Sequence, residues 1–389
     1  MKFLIQIPQL IFAGAEKVLV SFANDLVARG NEVEILETYE KGLLKSQFDE
    51  RVVFNAICSN KYTKKYYASL EDIRAEKSLI KKAQKCFKLL FSKVVGYKKF
   101  AEKVASRYYK KKEYDVAINF LEIDSPEFIL KNINAKKYIQ WYHTDVANLD
   151  YPEETDTMIP FYKKMDAIIC VAESAKKSFV ERYPALSDKT YVIYNFFDVE
   201  TIVEKSKENF SYQVMNDELI LLSVGRMTAP KSYDRFLNVL SKVKNDGYNF
   251  IWYVLGDGQE KEKIEKKITE LNLNENVVLV GLTDNPYKYM KNCDLFVLPS
   301  EWEGFPTVTV EAKVLSCPVL ATDVSGIKEQ LIHGETGWIV NNDEDAIYEG
   351  LKYLFDNLEI VEKIRNNKGI ETICENDYKY NYFLKIIGE

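Results

Sequence analysis

The sequence predicts an α/β protein built from two doubly wound, parallel-sheet domains in tandem. Strand-length apolar runs alternate with helix-period segments almost from end to end. That alternation pauses once, over 198–217. The 389 residues also exceed the roughly 150 of a single domain.

Taken in order, an apolar run at 2–7 leads into a turn containing Gly14. The helix that follows carries Ala15, Val18, Leu19, Phe22, Leu26 and Val27 on one face and stops at Gly30; a strand at 33–36 then closes a first βαβ unit. Further strands are predicted at 114–121, 137–142, 166–172 and 190–194, and complete a first domain over 1–197. Residues 198–217 have alternating charge and no strand run, and read as a linker. A second series at 219–224, 250–255, 277–280, 295–298, 318–322 and 338–340 makes a domain over 218–375. Residues 376–389 remain as a C-terminal helix able to cross back to the first domain. Two such domains leave a cleft, and ligands of such sheets bind beyond the carboxyl ends of the strands.

Composition narrows the function classes. With 47% apolar and 29% charged residues the chain is neither disordered nor collagen-like. No run reaches the roughly 18 apolar residues of a membrane span. Gln6 and Pro8 interrupt the opening apolar run, so it reads as a strand and not as an export signal. The six cysteines form no C-x-x-C pair, which predicts reduced thiols in a cytoplasm. The net charge of −6 argues against nucleic acid. Within 61–112, however, 17 Lys or Arg stand against 4 Asp or Glu. Aromatic and aliphatic residues interleave with these lysines, the pattern of an amphipathic helix that meets an anionic membrane surface; a helix packed on the first domain is the alternative.

Chemistry concentrates at two strand exits. The run at 219–224 enters Gly225-Arg226, and Lys231 follows at the start of the next predicted helix. Two cations and a helix N-terminus can clamp a diphosphate, or they can be a solvated basic pair. Later comes Pro299-Ser300-Glu301-Trp302-Glu303-Gly304-Phe305-Pro306, ahead of a helix containing Glu311. Pro306 suits a first helical turn, which leaves Glu303 in the loop and puts Glu311 along the helix. Acceptors at both ends of a phosphate site suit a nucleotide-sugar; the alternative has Glu303 capping the helix and Glu311 facing solvent. His143 is one of two histidines and ends the strand at 137–142, where Tyr142, Thr144 or Asp145 could satisfy it. The other, His333, reads as a surface residue. Asp343-Glu344-Asp345 is the one Asp-x-Asp, and reads as a helix cap and not a metal site.

Together these residues resemble the nucleotide-sugar site of glycosyltransferase family 4, retaining enzymes of the GT-B fold, in which two Rossmann-like domains face a central cleft. Gly14-Ala15-Glu16-Lys17, Trp141-Tyr142-His143, Val171-x2-Ser174, Val192-Ile193-Tyr194-Asn195 and Gly326-x2-Glu329 with Gly334 and Gly337 are similar to the family in the same order. The chain departs from it at Ala13, where the family usually has a glycine. The resemblance implies an acceptor-binding first domain and a donor-binding second one. Arg226 and Lys231 would neutralise the diphosphate, Glu303 would hold sugar hydroxyls, and Gly304, Phe305, Pro306 and Thr307 would present backbone N–H groups. Glu311 would accept from the ribose, and Gly225, Gly281 and Leu282 would border the nucleotide. Gly14 would admit the first loop to the phosphates, while His143 would lie near the anomeric carbon and orient or donate to the sugar.

The expected function is metal-independent, retaining transfer of a hexosyl or N-acetylhexosaminyl group from a UDP-sugar, with no bound cofactor. The acceptor would be a glycan, lipid-linked, in capsule, exopolysaccharide or lipopolysaccharide synthesis at the inner face of the cell membrane. The same resemblance leaves open a protein acceptor, a nucleotide-sugar epimerase, or a non-catalytic nucleotide-sugar-binding subunit.

Overall fold

The computed structural model describes residues 1–11, 13–40, 42, 44–58, 73–74, 76, 78–86, 97–148, 152–213, 218–367 and 369–389. Much of the basic segment 61–112 lies outside them, and with it most of the expected lipid-facing helix.

Two parallel sheets carry the fold. The first has strand order β3-β2-β1-β4-β5-β6-β7, from β1 (Lys2–Ile7), β2 (Glu32–Tyr39), β3 (Val53–Cys58), β4 (Glu113–Asn119), β5 (Asn134–Tyr142), β6 (Ala167–Cys170) and β7 (Thr190–Val192). The second has order β10-β9-β8-β11-β12-β13, from β8 (Leu219–Val224), β9 (Phe250–Leu255), β10 (Val277–Gly281), β11 (Leu295–Leu298), β12 (Val319–Thr322) and β13 (Trp338–Val340). Strands such as β6, β9, β11 and β12 are buried at every position because helices cover both faces of each sheet. In each domain the order reverses beside the first strand, between β1 and β4 and between β8 and β11. These reversals open a crevice at the carboxyl ends of the strands.

The strand β3 is absent from the sequence reading, and β2 is longer than predicted. Both differences have one cause. Glu34, Glu37 and Asn55 interrupt apolar runs yet are buried. Glu34 accepts from Tyr109 Oη (2.9 Å), Tyr114 Oη (2.7 Å), Lys112 Nζ (2.8 Å) and Asn55 Nδ2 (2.8 Å). Those partners replace its water.

Residues 198–217, read as a linker, contain a helix over Val199–Ser206, capped by Asp198, which accepts from Thr201 N at 2.9 Å. The chain returns at its end. The helix Asn376–Ile387 puts Phe383 and Ile387 into the first domain's core, and the buried Lys379 Nζ donates to Asn195 O (2.7 Å) and Ile373 O (2.9 Å). Loss of hydration pulls that ammonium's pKa down to about 8.

Candidate active site

The second domain supplies a charged rim. β8 delivers Gly225 and the exposed Arg226, whose guanidinium makes no hydrogen bond or ion pair among the described residues. Lys231 Nζ lies 2.5 Å from Glu303 Oε1, which also accepts from Ser300 Oγ at 2.7 Å. Glu303 therefore does not cap the following helix. Pro306 occupies that N-cap, and the helix runs Thr307–Val314. Glu301 N donates to Pro230 O (2.8 Å), which ties the two loops together. Beneath them Tyr233 is buried; lost hydration and the charge of Glu303 both push its hydroxyl pKa up.

Glu311 is not solvent-facing. It is 4% exposed, and its Oε2 has no hydrogen-bond partner among the described residues. Burial raises its carboxyl pKa, and the Lys17 charge opposes that rise. Lys17 also lies over the Tyr287 ring, 5.8 Å from its centre. Lys17, Asn24, Phe197, Tyr287, Thr307 and Glu311 are among the walls of a cavity of about 280 Å³ between the domains.

Across the cleft, Gly14 opens the helix Gly14–Ala28, and a Cβ on it would sit 3.5 Å from Thr307 Oγ1. Ala13 at that helix's N-cap has φ −142° and ψ 170°, extended backbone that any residue adopts. Alanine in place of the family's glycine thus costs nothing there. Glu16, one turn in, is 5% exposed; burial lifts its carboxyl pKa to about 7 against the pull of Arg226 on the opposite wall.

His143 follows β5. Its backbone N–H donates to Glu122 Oε2 at 3.0 Å. Its ring lies 4.7 Å from the Phe120 ring. Nε2 is buried and has no hydrogen-bond partner among the described residues. Burial takes the pKa to about 3, which keeps the ring neutral. Tyr142 bonds Thr155, and Asp145 accepts from Ala147 N and Ser178 Oγ, so neither satisfies the imidazole.

The two walls touch at Gly304. A Cβ there would fall 2.1 Å from His143 O, so only glycine lets this loop lie on the histidine's backbone. Phe305 stacks on Tyr194 of the first domain with ring centres 5.3 Å apart. Gly281 ends β10 at φ 84°, and Leu282 beside it is 69% exposed. Sequence reasoning gave no role to Glu16 or Lys17, although both sit inside the motif that contains Gly14. It also passed over Ser300 and Tyr287.

Among the described residues no three His, Cys, Asp or Glu side chains gather as a metal would require. Asp343 caps its helix by accepting from Ala346 N at 2.8 Å, and Lys242 pairs with Glu344 and Asp345. His333 is a surface residue whose Nδ1 accepts from Ile339 N.

Residues 204–369 match the profile of the family described as glycosyl transferases group 1. Over that stretch, less than half of its length, the chain is similar to the group 1 glycosyl transferases. It is 32% identical over 207 residues to an N-acetylgalactosamine-N,N'-diacetylbacillosaminyl-diphospho-undecaprenol 4-alpha-N-acetylgalactosaminyltransferase of Campylobacter jejuni, covering 53% of this chain and 55% of that protein. It is 29% identical over 236 residues to the capsular polysaccharide biosynthesis glycosyltransferase CapM of Staphylococcus aureus, covering 56% and 62%. The chain thus spans little more than half the length of these curated relatives. Among solved structures, S. aureus TarM, in a complex that includes UDP, superposes with a TM-score of 0.76 at 15% identity over 100% of both chains. Anabaena HepE with UDP and glucose gives 0.74 at 15% identity, over 99% of this chain and 100% of that one. At such identities the likeness concerns the fold alone, two Rossmann-like domains of the GT-B type, and the matched stretch 204–369 falls largely in the second of them.

Proposed function

We propose that this protein is a retaining glycosyltransferase that moves a hexosyl or N-acetylhexosaminyl group from a UDP-sugar to a glycan, lipid-linked acceptor in cell-surface polysaccharide synthesis. One observation carries the reading: the loop bearing Glu303 and Gly304 lies on the backbone of His143, which brings donor-type groups of one domain against the first domain's strand ends. UDP in the TarM and HepE structures and the undecaprenol-diphosphate acceptor in the name of the C. jejuni relative support the donor and acceptor classes.

In this mechanism Arg226 and Lys231 stabilise the diphosphate as it departs and gathers charge. Glu303, held by Lys231 and Ser300, accepts from sugar hydroxyls, and backbone N–H groups at the start of the helix Thr307–Val314 face the phosphates. The unpartnered Glu311 oxygen takes a ribose hydroxyl, while His143 orients the donor sugar or donates to it. Two fixed cations remove the need for a metal. The acceptor's proton goes to the leaving diphosphate on the same face of the sugar, so no protein carboxylate need become a nucleophile. Asp124 is committed elsewhere, accepting from Gln6 Nε2 (3.2 Å), Thr38 Oγ1 and Ser125 N (3.0 Å).

The protein works at the cytoplasmic membrane face. On the described helix 79–86, Leu79 and Ile80 are 84% and 74% exposed beside Lys81 and Lys82, a pairing suited to an anionic lipid surface. No described helix is long and apolar enough to cross a membrane.

A panel of UDP-sugars assayed for hydrolysis, and for transfer to a polyprenyl-diphosphate glycan, tests the reading. Hydrolysis of at least one donor, raised by that acceptor, is expected. No hydrolysis and no thermal stabilisation by any UDP-sugar or by UDP refutes it; a ligand at 100 times its Kd stabilises by about 2.7 kcal/mol, which is easily seen.

A further inference from the structure

Three motifs far apart in the sequence, Ser174, Tyr194 and Gly326-x2-Glu329, meet at one point on the domain boundary, outside the donor constellation. The helix Glu173–Arg182 of the first domain has alanine at its N-cap, Ala172, which offers no side-chain acceptor for the first N–H groups. The second domain supplies one. Glu329 Oε2 accepts from Glu173 N at 2.8 Å, and Oε1 accepts from Ser174 N at 3.0 Å and Ser174 Oγ at 2.8 Å. Ser174 Oγ also accepts from Gly326 N at 3.0 Å and lies 2.8 Å from Ser325 Oγ, which uses its one proton and both lone pairs. Burial and the charge of the same carboxylate raise the Tyr194 hydroxyl's pKa, and the Tyr194 ring stacks on Phe305.

This cluster abuts the donor loop. A Cβ on Gly326 would lie 2.9 Å from Gly304 O and 3.1 Å from Phe305 Cα, and Gly304 in turn lies on His143 O. From Glu329 to His143 the contacts are continuous and alternate between domains. We infer that Glu329 is a positioning residue: by capping a helix of the opposite domain it sets the register of the loop 303–307 against His143, and its release lets the cleft open. A half-buried carboxylate suits that task, because water can take over its acceptors when the domains part, whereas an apolar contact would resist separation. The effect on catalysis rests on the function proposed above; the cap itself does not.

The test uses the full chain with Glu329→Gln, Glu329→Ala and, in case the alanine variant folds poorly, Ser174→Ala. Hydrogen exchange of peptides covering 172–178 should speed up at least tenfold in Glu329→Ala and less in Glu329→Gln, which keeps one acceptor oxygen. Peptides from β8 and β12 should stay at wild-type rates, which a merely destabilised second domain would not allow. Small-angle scattering should show a larger radius of gyration in Glu329→Ala. With an active donor, its KM should rise severalfold more than kcat falls. Unchanged exchange at 172–178 together with unchanged scattering overturns the cap. Altered exchange with a KM and kcat like wild type retains the cap and overturns the positioning role. If no donor is turned over by the wild type, the function fails, while exchange and scattering still decide the cap.

Discussion

Glu16→Gln reports directly on the electrostatics of the cleft. In the folded protein burial holds the Glu16 proton until about pH 7, whereas a free glutamate releases it near 4.5. Between those values the folded state binds more protons than the unfolded one. The contribution of Glu16 to stability is therefore fully present below pH 4.5 and is lost as pH rises through about 7. At about 1.4 kcal/mol per pH unit the whole step is about 3 kcal/mol. Glutamine mimics the protonated acid at every pH. Urea denaturation at pH 5 and pH 8, following the first domain's transition, should find the variant close to wild type at pH 5 and more stable by up to about 3 kcal/mol at pH 8. Removing the facing cation in Arg226→Ala should move the wild-type titration above 7, because Arg226 favours the ionised form. A stability difference between Glu16→Gln and wild type that is the same at both pH values refutes the reasoning. So does an Arg226→Ala titration that stays in place, which would mean the two walls do not face each other as described.

Arg226→Ala and Lys231→Ala should each lower turnover by more than they weaken UDP-sugar binding, since charge grows on the diphosphate as the bond breaks; steady-state kinetics beside calorimetry would show equal losses if the cations bound only the ground state. His143→Ala should cost about 10- to 100-fold in turnover, and His143→Asn, which keeps a donor, should recover part. With the ring neutral above about pH 3, kcat should show no histidine titration between pH 5 and 8, and the product should keep the donor's anomeric configuration by NMR. Transfer should survive EDTA, and Asp343→Asn, which keeps a capping oxygen, should be nearly silent; restoration by added Mn after EDTA would contradict the two-cation clamp. Replacing Lys81 and Lys82 by Gln should weaken sedimentation with anionic vesicles, and salt should do the same, since exposed charges are screened within about 8 Å at physiological ionic strength.

The second domain was legible almost residue by residue, because its strands are short and mostly apolar runs, so that β8, β9, β11 and β13 match the sequence bounds. The first domain was harder to read for a physical reason: it buries charge. Glu34 and Asn55 carry the signature of surface positions, and only the tyrosines and the lysine that surround Glu34 in space, 75 to 80 residues further on, make them interior. The places of Arg226, Lys231 and Glu303 could be found in the sequence because they lie in the loops after strand exits, and strand exits can be found from periodicity. Their pairing was not. Glu303 could cap its own helix or reach Lys231, and spacing alone allows both; Pro306 decides it by taking the N-cap position.

What the sequence could not show is which residue of one domain completes a residue of the other. Gly304 has no local need to be glycine; its constraint is the carbonyl of His143, 161 residues earlier. Ala172 looks like a poorly chosen cap until Glu329 is placed against it, and Glu311 looks like a surface charge until the first helix covers it with Lys17 nearby. Each case has the same logic: a buried polar group must find a partner, and at a domain boundary that partner lies on the other chain segment. The buried oxygen of Glu311 is one of several buried side-chain atoms that find none among the described residues, Gln6 Oε1, Asn119 Oδ1 and His143 Nε2 among them, and Glu311 also lines the cavity between the domains. An unmet acceptor costs folding energy, and in the mechanism proposed above a ribose hydroxyl brought by the donor gives the Glu311 oxygen its partner.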